Sequence, residues 1–393
     1  MTAGTSGSAL RTVGIGRVLA LLVGTAWLGA LALALTWLPV LTIARNRLAL
    51  GDPRTGSEAL GATGALVLAM SALAIALVVS RKRAAAALAT LLLLLAILAF
   101  GQGLGAGAVR SLAGLPPAAR ASLGSGSWLG LFLLAGALGL AVRRSRKPGF
   151  GLAIGLGLGL ALVVLGWSGA FDALSLAVEY AARRETVNAA LAEHLALAGA
   201  ALILAGLLAV GLSLLPQGLV ALVLGGIQVV PAVALLGGMV AVMSGFLRAV
   251  PILRDLGLSA LGPVPAIVAI AAYLALPLWR GLTLALRAPD DDTLQAAEAL
   301  GLSRGQVLAR VRLPIGAPIL IGAVRVAAVQ GLGLATLGAL VGAGGLGRIV
   351  FDGMAQFAPD LILLGAIPVV VLSLLTERGL SRVEAAARRR WHA

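Results

Sequence analysis

Apolar residues run through this chain in long continuous blocks, separated by short polar segments. The blocks do not alternate apolar with polar, so they do not read as strands of a membrane barrel. About ten of them approach the roughly 20 residues that a helix needs to cross about 30 Å of hydrocarbon. The predicted spans are 14–40, 59–80, 84–105, 127–142, 149–169, 193–215, 218–243, 264–285, 317–340 and 359–376. The predicted fold class is therefore an all-α integral membrane protein with about ten transmembrane helices. Abundant glycine (53 residues) and alanine along the spans suit close helix packing in lipid. The first block follows Arg11 and Arg17. It is longer than a signal-peptide core and lacks a clear cleavage site, so it reads as a retained span.

Composition agrees and removes alternatives. Of 393 residues, 60% are apolar and 11% charged, with a mean hydropathy of +1.05; soluble domains carry about 25% charged residues. The net charge of +15 does not point to nucleic acid, because the basic residues lie mostly between spans and orient them in the bilayer. With the N-terminus in the cytoplasm, the densest clusters fall inside. These are Arg81-Lys82-Arg83, then Arg143, Arg144, Arg146 and Lys147, the loop after Ala285, and Arg388-Arg389-Arg390. Both termini are then cytoplasmic. Arg45, Arg47, Arg110, Arg120, Arg183, Arg184 and Arg248 are left outside, against that trend. There is no cysteine, hence no disulfide or thiolate site, and His194 and His392 have no companion at metal-ligand spacing. No cofactor or metal is expected.

The chain divides near residue 190. Residues 1–190 form a membrane extension of about five spans with loops of low information, 191–377 a second set of about five, and 378–393 a basic tail. The two halves share no matching helix breaks, so an inverted repeat is not supported.

The polar segment from Asp290 to Pro314 is the most informative. It reads as two short helices joined by a sharp turn. Asp292 or Thr293 caps the first, and Asp290 to Asp292 favour its positive end. Gly301 stands where a helix stops in a left-handed residue. Ser303 with Gln306 spells a capping box that opens the second helix. Pro314 disfavours helical geometry at Leu313 and marks the exit into the next span. Ala296, Ala297 and Ala299 keep the first helix slim enough for a groove.

This segment resembles the EAA loop of ABC importer permeases. Gln295, Ala296 and Ala297 stand where the family has Glu-Ala-Ala, Gly301 on its glycine, and Val311, Leu313 and Pro314 on its hydrophobic-x-Leu-Pro ending. Gln295 replaces the glutamate and lacks its charge; Glu298, three residues on and on the same helix face, is available to substitute. Gln228 to Leu236, with Gln228 and Pro231, resembles a Gln-Thr-Ile-Pro-Ser stretch of the glycine betaine, choline and carnitine branch. Gly322 to Arg325, Gln330 to Leu337, and Gly342 to Gly347 continue the likeness across residues 190–376. The resemblance implies a permease subunit with a five-span type I importer core. It would work with an ATP-binding subunit dimer, a second permease (a copy or a paralogue) and an extracytoplasmic substrate-binding protein in the bacterial inner membrane. It implies ATPase coupling through Gln295, Ala296, Ala297, Glu298, Gly301, Leu313 and Pro314. The solute would be a small zwitterionic or quaternary-ammonium osmolyte.

Other motifs are set aside on physical grounds. Gly342 to Gly347 spells G-x-G-x-x-G, but a dinucleotide site needs a preceding soluble strand; here it reads as a flexible outward-facing turn between spans. Lys82 and Lys147, the only lysines, are followed by Arg83 and Pro148, so no Walker A loop exists. The chain is thus expected not to be an enzyme, with ATP hydrolysis in a partner. Asp290 to Asp292 lack a second acidic cluster to share a metal. Arg325 and Gln330 are polar groups inside a span, costly in lipid and suited either to a pathway or to packing. Gln228 before Pro231 marks an interrupted helix, read as a pathway feature or a simple kink. Aromatic cages hold quaternary ammonium ions, yet this half shows no aromatic cluster, so high-affinity recognition falls to the binding protein. The competing reading is a secondary transporter driven by an ion gradient, which calls for acidic or histidine relays inside the spans.

Overall fold

The computed structural model describes residues 5–46, 49–80, 83–145 and 149–391. Arg47, Arg81, Lys82, Arg146, Lys147 and His392, singled out above, lie outside the described residues. The chain separates into two compact units, Met1–Ala182 and Arg183–Ala393, each built on its own apolar cluster.

The first unit runs α1 (Thr5–Thr36), β1 (Pro39–Ala44), β2 (Asp52–Thr55), α2 (Gly56–Leu60), α3 (Ala62–Val79), α4 (Arg83–Leu112), β3 (Arg120–Leu123), α5 (Ser125–Ser145), α6 (Phe150–Trp167) and α7 (Ser175–Ala182). Its core packs Leu31, Leu35, Val67, Leu93, Phe100 and Leu134 between α1, α3, α4 and α5. The strands form a small antiparallel sheet in the order β2-β1-β3, which hydropathy did not predict. Val40 and Leu41 are fully buried, and Ser127 Oγ on α5 donates to the Val40 carbonyl at 2.5 Å. The sheet therefore closes the ends of apolar helices rather than forming a domain. Pro53 sits on its edge strand, where the missing N–H costs no ladder bond.

The second unit runs α8 (Arg184–Leu212), α9 (Gln217–Val229), α10 (Ala232–Ala249), α11 (Ile252–Asp255), α12 (Pro263–Leu286), α13 (Asp291–Ala299), α14 (Arg304–Val307), a π-helical turn (Leu308–Arg312), α15 (Leu313–Leu337), a short 3-10 turn (Gly338–Val341), α16 (Leu346–Ala355) and α17 (Pro359–Trp391). α12 is its centre. Of the spans it is the most enclosed, with 56% of its apolar window buried, against 11% for α10 and 17% for α17. α12 and α15 lie antiparallel along a seam of small residues. Gly281 meets Ala323 and Gly316 meets Ala285 at one end, while Gly338 nears Ala266 at the other. In lipid, where apolar contact alone does not drive association, such close backbone approach is what holds helices together.

Among the described residues, ten helices are long and apolar enough to cross a membrane, as the hydropathy pattern predicts. One expected span is corrected. Residues 218–243 are not one helix but α9, 13 residues long, and α10, separated at Val230 and Pro231. Proline has no N–H to donate, and its ring clashes with the carbonyl four residues earlier, here Ile227. Val230 is accordingly extended, with ψ 129°. The last span is longer than expected: α17 continues without a break from Pro359 to Trp391, taking in most of the basic tail.

Candidate functional site

The loop between α12 and α15 is fixed by local chemistry. Asp290 caps α13, its carboxylate accepting from the Thr293 N–H at 2.8 Å. The cap is thus neither Asp292 nor Thr293, because the first residue with extended backbone is Asp290. The Thr293 hydroxyl and amide hold the Asp290 carboxyl below its ordinary value of 3.8. A carboxyl lowered on folding stabilises the fold above its unfolded pKa and loses that effect as pH falls through the folded value. We expect the Thr293 amide resonance to titrate with a midpoint below 3.8, and Asp290→Ala to remove that titration.

α13 ends in a Schellman motif. The Gly301 N–H bonds the Glu298 carbonyl at 2.9 Å and the Leu302 N–H bonds Ala297 at 3.2 Å, with Gly301 at φ +75°. Ser303 and Gln306 then form the expected capping box. The Ser303 N–H donates to Gln306 Oε1 at 2.8 Å, and the Gln306 N–H to Ser303 Oγ at 3.4 Å. Pro314 does not end the helix as predicted. Leu313 is helical (φ −66°, ψ −44°), and Leu308–Arg312 widen into a π turn just before it. A π turn shifts the ladder by one residue, which accommodates a proline whose nitrogen cannot donate. The second loop helix and the span are thereby one rod, from Arg304 to Leu337.

The loop's base is pinned and its tip is bare. Arg312 Nη1 caps the end of α12 through the Leu286 carbonyl at 2.8 Å, and Arg287 Nη2 reaches Gln217 Oε1 on α9 at 2.6 Å. Ala297 is the buried residue of α13. Gln295, Ala296, Glu298 and Gly301 are exposed, Pro314 is half-buried, and Leu313 is exposed beside them. At the turn, Leu300 is 81% exposed. The two caps hold this leucine outward, an exposed apolar side chain at the tip of the loop.

The interrupted helix carries a second constellation. Gln228 Nε2 donates to the Tyr273 carbonyl on α12 at 2.7 Å, and the Tyr273 hydroxyl donates to the carbonyl of Val230. The break is thus fastened to the central helix by reciprocal bonds, one of which satisfies the Val230 carbonyl that the extended backbone before Pro231 leaves outside both helices. Pro231 itself is exposed. Tyr273 carried no signal in the sequence, since its partners lie more than 40 residues away. Tyr273→Phe should cost about 1 kcal/mol, visible as a lower unfolding temperature with the fold retained. An unchanged temperature would mean that water satisfies Val230 equally well.

Arg325 and Gln330 are not brought together. Gln330 is exposed. Arg325 points to α17, where its guanidinium pairs with Glu377, meets Ser381 Oγ at 3.2 Å, and places Nη2 3.2 Å from Glu384. Arg388 joins Glu384 at 2.6 Å. The Gly342–Gly347 turn is docked rather than loose. Gly345 N–H donates to Glu193 Oε2 at 2.8 Å, and a Cβ on Gly344 would lie 2.5 Å from that same oxygen. Beside it the fully buried His194 is bonded through Nε2 to the Leu332 carbonyl at 3.0 Å. Among the described residues no group of three or more His, Cys, Asp or Glu is placed to hold a metal.

These features can be set beside known proteins. Residues 201–389 match the family described as binding-protein-dependent transport system inner membrane component. More particularly, residues 16–177 match the family described as ABC transporter permease YehY, N-terminal domain. It is 36% identical over 124 residues to the carnitine transport permease protein OpuCB of Listeria monocytogenes, covering 32% of this chain and 57% of that protein. It is 32% identical over 127 residues to the choline transport system permease protein OpuBB of Bacillus subtilis, covering 32% and 58%. The chain thus spans under two thirds of the length of these relatives. A chain of the inward-facing MetNI methionine ABC transporter aligns with a TM-score of 0.44 at 23% identity, over 52% of this chain and 97% of that one.

Proposed function

We propose that the chain is the permease subunit of an ATP-driven importer that moves a small zwitterionic or quaternary-ammonium solute, of the glycine betaine kind, across the cytoplasmic membrane. The observation that carries this reading is the capped, leucine-tipped loop built as one rod with a membrane span. An ATPase dimer would receive α13, with Gln295, Ala296, Ala297, Glu298 and Gly301 forming the coupling surface and Leu313 and Pro314 joining it to the span. Glu298 supplies the charge that Gln295 lacks. Hydrolysis belongs to that partner, and a substrate-binding protein delivers solute from the other side. A second permease completes the path, lined in part by Gln228, Pro231 and Gln330, while Arg325 holds α15 against α17 beside it. Both termini lie in the cytoplasm. Residues 1–190 form the membrane extension, 191–377 the permease core, and 378–393 the basic tail, which as far as Trp391 lengthens the last helix.

The test is uptake of labelled glycine betaine into vesicles containing this chain, its ATPase and its binding protein. Uptake that requires ATP inside and stops when the ATPase is omitted supports the proposal. Uptake that persists without the ATPase and follows an imposed ion gradient replaces it with the secondary-transporter reading.

A further inference from the structure

One polar cavity of the first unit has no place in the coupling mechanism. It lies between β1, β2, α2 and the end of α4, encloses about 580 Å³, and is walled by Arg45, Asp52, Arg54, Glu58 and Arg110. Small-molecule sites fall at roughly 300–1,000 Å³. In a chain with 11% charged residues, five charges around one hollow is a concentration that lipid packing does not call for. Nor do these charges neutralise one another: no ion pair joins them among the described residues. Arg110 Nη2 is anchored on the Ala59 carbonyl at 2.7 Å, and Glu58 Oε2 accepts from the Thr55 N–H at 3.1 Å, so both are held in place. The side chains of Arg45, Arg54 and Asp52 have no hydrogen bond or ion pair among the described residues.

The sequence adds an independent reason to look here. Arg45 and Arg110 belong to the arginines that run against the positive-inside trend, and Arg54 shares the segment between the first two spans. Cationic residues kept on the disfavoured side need a use there. Guanidinium groups match a carboxylate with two parallel donors, and the two carboxylates beside them leave a place for a positive group.

We propose that this cavity is a binding site for a small zwitterion. The solute's carboxylate is held by Arg45 and Arg54 with Arg110 behind them, and its cationic end faces Asp52 and Glu58. The inference rests on the proposed function for its outward orientation and solute class. All five side chains are exposed. Binding is therefore weak, on the order of millimolar, and it falls with added salt because exposed charges are screened within about 8 Å at physiological ionic strength.

The experiment is calorimetric titration of the purified full-length chain in lipid nanodiscs with glycine betaine, choline and acetate. The site predicts binding of glycine betaine at least tenfold tighter than of choline, which lacks the carboxylate, and of acetate, which lacks the cation. Arg45→Gln with Arg54→Gln should weaken glycine betaine at least tenfold, and Asp52→Asn should narrow the gap to acetate. Equal binding of choline, equal binding of acetate, no binding, or an affinity unchanged in the double variant each overturn the proposal. Because the titration uses this chain alone, it is decided separately from ATP-dependent uptake by the assembled system; a wild type that transports nothing counts against the importer reading instead.

Discussion

Gly301→Val is expected to lower ATP-coupled uptake at least tenfold while leaving the membrane spans folded. The residue sits at φ +75° with nothing within 4 Å of where a Cβ would stand, so the penalty is conformational and not steric crowding. A left-handed conformation costs an ordinary L residue about 1–2 kcal/mol, and more for a β-branched one. Every 1.4 kcal/mol is a tenfold change in a population. The Schellman turn would open, releasing the Gly301 and Leu302 amides from α13 and letting Leu300 swing away from its outward position. Gly301→Asn, which tolerates that region, should keep most of the transport. Uptake and ATPase activity measured together in reconstituted vesicles check this pair. Unchanged coupling in the valine variant would remove the loop from the mechanism.

The second large effect is on stability. Gly316→Ala places a methyl 2.2 Å from the Ala285 carbonyl oxygen, with backbone atoms of Ala285 also within 2.8 Å. Backbone at a helix end that Arg312 already caps cannot retreat cheaply, so α12 and α15 must separate at their loop-side crossing. Forced overpacking costs about 1–3 kcal/mol and occasionally more. Gly305→Ala is the matched control. It lies on α14 with nothing within 4 Å, so the added methyl should be neutral or stabilising by about 0.5–1 kcal/mol. Thermal unfolding of both variants in detergent separates them. If Gly316→Ala unfolds no earlier than the parent, the glycine seam is not what holds the two helices.

What was legible in the sequence divides by the range of the forces involved. Spans follow from local apolar content, so their number emerges from hydropathy alone. The loop's glycine stop and capping box are three- and four-residue devices, and both stand where the sequence puts them. The cap at Asp290 was misplaced by two or three residues because three consecutive aspartates all suit that position. Pro231 announced a break, but hydropathy is blind to proline and counted 218–243 as one span. Pro314 shows the reverse error: a proline near a helix start is harmless when a π turn precedes it. The strands β1 to β3 are only four to six residues long, too short to stand out among the apolar helices that flank them. The partners of Gln228, Arg325 and His194 lie 45 to 138 residues away, and nothing local encodes them.

The unbroken rod from Arg304 to Leu337 has a mechanical consequence. At 1.5 Å per residue it is roughly 50 Å long. A close backbone crossing with α12, at Gly316, stands roughly 18 Å from the loop end and roughly 30 Å from the far end. In the proposed importer this is an unequal lever with the glycine seam as its fulcrum. A push of roughly 3 Å from an ATPase becomes roughly 5 Å of travel at the opposite membrane face, in the opposite direction. The stroke is set by where one glycine falls along a helix, so moving that contact by a single turn would change the gearing between nucleotide and solute.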